Sequence, residues 1–112
     1  MIFKNGLDAL ILAALRDREL HGYAIAKRIR EESAGTLRFG EGQLYPALHR
    51  LEECGYLAAG WEPQEGKPPR KVYSITDAGL AELESQKSKW AAFSESVDRV
   101  LAGRPAKVVR HV

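Results

Sequence analysis

The sequence has one cysteine, Cys54, among its 112 residues, so no internal disulfide can form and nothing points to an oxidising compartment. A long hydrophobic run is also missing. The apolar stretch from Leu7 to Leu15 stops at Arg16 and is too short to span a bilayer. It is followed by "RDREL", whereas a secretion signal would need a more basic lead and a small-residue cleavage site. The expectation is a cytoplasmic protein with no membrane partner. Charge of one sign is nearly absent too. Seventeen Lys and Arg against 15 Asp and Glu leave +2, too little by itself to argue for a polyanionic partner, so the distribution of charge has to decide.

Familiar reactive constellations are lacking as well. His21, His49 and His111 are far apart and near no second cysteine, so no zinc-type spacing exists. There is no glycine-rich phosphate loop and no nucleophile elbow. The neighbours Glu31 and Glu32, like Glu52 and Glu53, point to different sides of a helix and make a poor acid–base pair. No enzyme, metal or cofactor is expected. Cys54 reads as a small buried hydrophobe.

What is present is periodicity. Leu7 to Arg16 is apolar on almost all sides, as in a helix buried by its neighbours. "DRELHG" breaks the pattern, and "YAIAKRIREESAG" resumes it with Ile25, Ala26 and Ile29 on one face and Gly35 as a stop. In "GEGQLYPALHRLEECGYL", Leu44, Leu48 and Leu51 recur at the spacing of one helix face and Gly55 is the C-terminal cap. Pro46 inside that pattern is tolerated in a first turn, where backbone N–H groups have no intrahelical acceptor, so Gln43 to Pro46 is read as the first turn. Next come "YLAAGW" and "RKVYSI", two strand-like segments flanking the loop "EPQEGKPP", together a β-hairpin with an extended tip. Trp61 is expected to pack against the scaffold. Thr76 then caps an amphipathic helix from Asp77 to about Leu101, along which Leu80, Leu83, Trp90, Phe93, Val97, Val100 and Leu101 form an apolar stripe. A domain this small cannot cover so long a stripe, which suggests a helix from a second copy.

With the leucines of the third helix turned inward, its outward face carries Gln43, Pro46, His49 and Arg50, with Tyr45 on the flank. Amide, phenol and guanidinium groups at an exposed helix start suit phosphate and base-edge contact in a major groove, although the same face could simply be solvated. The helix before it carries Lys27, Arg28 and Arg30. Lys67, Arg70 and Lys71 surround the hairpin tip and its second strand, where they would meet phosphates. The reading is therefore mostly α with a small β-hairpin, a winged helix-turn-helix followed by a long C-terminal dimerisation helix. Its division is 1–76 for DNA binding, 77–103 for dimerisation and 104–112 as a flexible tail. A winged-helix module that docks a protein rather than DNA stays open, because the charges are of mixed sign.

"HGYAIAKRI", "GQLYPALHRLEECGYL" and "RKVYSITDAG" occur in an order and spacing that resembles the PadR-like transcriptional regulators, over roughly Leu7 to Leu101. The resemblance implies a homodimeric repressor on a palindromic double-stranded operator, with Tyr45 and its neighbours at the DNA and the wing alongside. The single helix after the wing looks like the compact subgroup of that family. Some members of that subgroup bind flat aromatic drugs between two tryptophans, one from each subunit's last helix. Trp90 falls at that place, and by this implication Trp90, Phe93 and Val97 would hold a small aromatic effector. On an apolar stripe, however, a tryptophan such as Trp90 is more often plain dimer core than a stacking platform. The wing departs from a strongly basic pattern, because Glu62 and Glu65 offset its cations.

Overall fold

The computed structural model describes residues 6–103, so the expected flexible tail at 104–112 lies outside the described residues. Along the chain run α1 (Gly6–Ala14), β1 (Leu20–His21), α2 (Gly22–Glu32), α3 (Glu41–Glu53), β2 (Leu57–Gln64), β3 (Lys67–Ile75) and α4 (Asp77–Ala102). Helix α1 is apolar nearly all round because it packs against α2, α3 and α4. Its Ile11 and Leu12, and Leu15 just beyond it, close the core with Ile25 and Ile29 of α2 and Leu44, Leu48 and Leu51 of α3. Full burial of each such side chain stabilises the fold by about 1.5–3 kcal/mol before entropy is counted.

The three strands form one antiparallel sheet in the order β1-β3-β2. The hairpin was legible, but β1 was not. It falls within "DRELHG" and pairs Leu20 with Tyr73 and His21 with Val72. The wing tip also differs from the expected loop. Strands β2 and β3 continue through most of "EPQEGKPP", leaving Glu65 and Gly66 as the turn. Pro63 is accommodated at a register shift between Glu62 and Gln64. Pro68 and Pro69 lie opposite Pro63 in the same irregular stretch, between the pairs Glu62–Arg70 and Gln64–Lys67 and beyond the residues that β1 covers, where missing N–H groups cost few ladder bonds.

The junctions are closed by backbone geometry. After α3, Gly55 takes φ +80°, its N–H reaching the Glu52 carbonyl and that of Tyr56 the Leu51 carbonyl, both at 3.0 Å. Thr76 caps α4 as expected. Its Oγ1 accepts from the Gly79 N–H at 3.0 Å and donates to the Gly55 carbonyl at 2.7 Å, tying the end of α3 to the start of α4. At Gly79 a Cβ would sit 2.1 Å from the Tyr56 carbonyl oxygen, so only glycine fits. Leu83, expected at a subunit interface, is instead 5% exposed and belongs to the chain's own core.

Candidate nucleic-acid interface

Helix α3 begins two residues earlier than its proline suggested. Gly40 is the N-cap and Glu41 the first helical residue, which places Pro46 in the second turn and corrects the reading of Gln43 to Pro46 as the first. Having no N–H, Pro46 cannot bond the Gly42 carbonyl four residues back. The rest of the face is as read. Leu44, Leu48 and Leu51, joined by Ala47, are buried, while Gln43, Tyr45, Pro46, His49 and Arg50 are exposed. Tyr45 lies across the start of α2, so close that a Cβ on Gly22 would approach its ring to 2.8 Å. The ring is thus packed against α2 on one side while Tyr45 as a whole remains exposed. Arg50 Nη2 donates to Asp8 Oδ1 on α1 at 2.5 Å, and His49 Nε2 lies 3.4 Å from Glu53 Oε1.

The cations around α3 sort into two kinds. Arg28, expected at DNA, is instead a clamp within the fold. It donates to Asp17 at 2.5 Å, to the Ala14 carbonyl at 2.9 Å and to Glu32 at 3.0 Å, and its side chain is mostly buried. The hydrogen bonds it donates to Asp17 and then to Glu32 hold its proton more firmly than usual. In return Arg28 holds the Asp17 carboxyl below its ordinary range, and Arg16 followed by Arg28 does the same for Glu32. On the wing, Arg70 donates to Glu62 opposite it at 2.9 Å. Lys71 donates to Glu52 of α3 at 2.8 Å and lies 5.5 Å over the Tyr73 ring. Its bond to Glu52 raises the Lys71 pKa. Lys27 and Lys67 are exposed and have no carboxylate partner among the described residues. At the edge of the sheet, burial and then the nearby Arg70 push the His21 pKa down.

Two sequence readings fail at this surface. Cys54 is exposed rather than buried. Trp61 stands out from β2 at 70% exposure and does not pack on the scaffold. Sequence reasoning missed the carboxylates that restrain the cations. Asp8 is 42 residues from Arg50 and Glu52 is 19 from Lys71, so no spacing rule reveals them, whereas the hairpin register does bring Glu62 opposite Arg70.

On the far side, α1 and α4 enclose an apolar groove of about 430 Å³ lined by Gly6, Ala9, Leu10, Ala13, Leu37, Leu83, Gln86, Lys87 and Trp90. Of the three residues implied for an effector, Trp90 lines it, while Phe93 and Val97 lie further along α4. The Trp90 and Phe93 rings are 6.0 Å apart. Beyond the groove the apolar stripe is uncovered, with Val100 and Leu101 exposed. Among the described residues no group of three metal-ligating side chains occurs, and no helix is long and apolar enough to cross a membrane.

This arrangement, a helix with a polar outer face beside a basic hairpin, can be set against known proteins. The profile of the Transcriptional regulator PadR-like family matches residues 11–85. The chain belongs to the PadR-like family. A transcriptional regulator of Mycobacterium tuberculosis is 37% identical over 94 residues, covering 84% of this PadR-like chain and 81% of that protein. Among solved structures, a transcriptional regulator from Clostridium thermocellum superposes with a TM-score of 0.80 at 26% identity, over 88% of this chain and 95% of that one. Bacillus subtilis PadR in complex with operator DNA superposes with a TM-score of 0.68 at 33% identity, over 73% of this chain and 45% of that one. The PadR-like chain thus shares the winged-helix fold of these regulators and spans less than half of the operator-bound one.

Proposed function

We propose that this chain is a sequence-specific DNA-binding transcriptional regulator, a repressor that leaves its operator when an effector binds. The observation that carries the reading is the outward face of α3, uncovered beside the wing in a chain of the PadR-like family. Gln43, Tyr45, Pro46, His49 and Arg50 meet base edges and the flanking backbone, while Lys27, Lys67, Arg70 and Lys71 meet phosphates. Arg28 is left out, because its charge is already spent on Asp17 and Glu32.

Residues 1–76 form the DNA-binding part and 77–103 the dimerisation helix. Two copies pair through Leu80, Trp90, Phe93, Val97, Val100 and Leu101, setting two α3 helices about 34 Å apart on successive major grooves of a palindrome. The chain works where DNA is, in the cytoplasm. A planar aromatic compound in the groove beside Trp90 would favour a dimer in which that spacing is wrong, which requires unequal affinity for two dimer states.

The test is a gel shift on the DNA upstream of the chain's own gene. Tyr45→Ala and Arg50→Ala should each weaken the complex while the circular dichroism spectrum stays that of the parent. Shifts identical to the parent in both variants would refute the contact face. Quenching of Trp90 fluorescence by planar aromatics, read in a Trp61→Phe background, tests the effector site, and no quenching by any of them would remove it.

A further inference from the structure

Tyr23, Lys27 and Arg30 are spaced four and three residues apart, so they form one stripe along α2. That stripe is one wall of a cleft of about 210 Å³ whose other wall is the start of α3, including Tyr45, with Phe39 between them. Arg28, which is clamped, does not line it. Tyr23 is 65% exposed and Tyr45 43% exposed. The contact with Gly22 holds the Tyr45 hydroxyl at the start of α2, one residue from Tyr23. Neither Lys27 nor Arg30 has a carboxylate partner among the described residues. Glu41 is the one acidic side chain of the lining, so two cations face a single carboxylate.

We infer that Tyr23, Lys27 and Arg30, with Tyr45, form a seat for backbone phosphates of the duplex whose groove α3 enters. The inference rests on the function proposed above and adds Tyr23 and Arg30 to the interface. The groups suit a phosphodiester. A guanidinium fork and an ammonium supply charge-assisted donors, and two phenol hydroxyls supply directional ones. The seat flanks the start of α3, at the edge of any groove that helix occupies. Such contacts fix the register of the protein on the duplex without reading sequence. Arg28, Arg50, Arg70 and Lys71 each have a carboxylate to leave before they can bind, whereas Lys27 and Arg30 have none among the described residues.

The test measures the affinity of the full chain for its own upstream duplex across a salt series. Each phosphate contact contributes a slope of about −0.9 in log K against log salt. Lys27→Gln and Arg30→Gln should therefore each flatten the slope by about 0.9 per lost contact, close to twice that for a two-fold dimer. Tyr23→Phe should lower affinity several-fold with the slope kept, and Arg30→Lys should behave likewise because charge survives and the fork does not. Lys89→Gln, on the exposed side of α4, controls for net charge and should leave the slope unchanged. Parent slopes in both glutamine variants, or an equal flattening by Lys89→Gln, would overturn the seat while the proposed function stands. A parent chain with no salt-dependent affinity for any duplex would sink that function and the seat with it.

Discussion

Both α3 and α4 carry leucines at the spacing of one helix face, yet only α3 has that face covered along its whole length. Leu44, Leu48 and Leu51 are 2%, 0% and 3% exposed, while on α4 burial extends through Leu83 to Gln86 and then gives way to Trp90, Val100 and Leu101 at 48%, 80% and 78%. The difference teaches what an apolar stripe can be for. In α3 it holds the helix against α1 and frees the opposite face for work. In α4 only the first turns serve the fold, and the rest offers contact area to something else.

The sharpest way to break this contrast is to empty both stripes. Leu48→Ala should lower the unfolding free energy by about 2–5 kcal/mol in urea denaturation. Leu101→Ala should change it by no more than about 0.5 kcal/mol when the chain is dilute enough to be monomeric. Equal losses would erase the distinction. Next in size is Gly79→Ala at the base of α4. The added methyl meets the Tyr56 carbonyl, and overpacking of this kind should remove about 1–3 kcal/mol, read as a lower melting temperature.

The helix starts give the smaller effects. Thr76→Ala deletes the side-chain cap of α4 and should cost about 1 kcal/mol. Gly40 offers α3 no such cap, although its φ of −84° suits any residue and its Cβ position is open. Gly40→Ser should accordingly stabilise by a few tenths of a kcal/mol. A loss on Gly40→Ser would mean that the α3 start depends on something other than a missing cap.

Most of the fold was readable because periodicity survives in a single sequence. The inward leucines of α3, the all-round apolar α1 and the Thr76 cap needed only local spacing. Strand β1 did not show, since two residues carry no alternation and form a strand only because β3 lies beside them. The wing prolines suggest a loop, and the register shift at Pro63, together with the strand edge that β1 leaves uncovered, explains why they remain in the hairpin. Arg28 and Lys27 look alike in sequence. Asp17 and the Ala14 carbonyl, more than ten residues away, make one a clamp and leave the other available. Hydrophobicity alone places Trp61 and Cys54 inward, but it cannot tell a core position from a strand or helix end already turned to solvent.

The contact at Gly79 leaves no slack between the end of α3, the wing and the base of α4. A helix of 26 residues is about 39 Å long, so it acts as a lever whose fulcrum is that joint. A tilt of about 10° at the base would carry the far end some 7 Å sideways, by the same rise per residue. A displacement of the far end by whatever grips it is returned to the fulcrum as rotation, and the winged-helix unit attached there must turn with it.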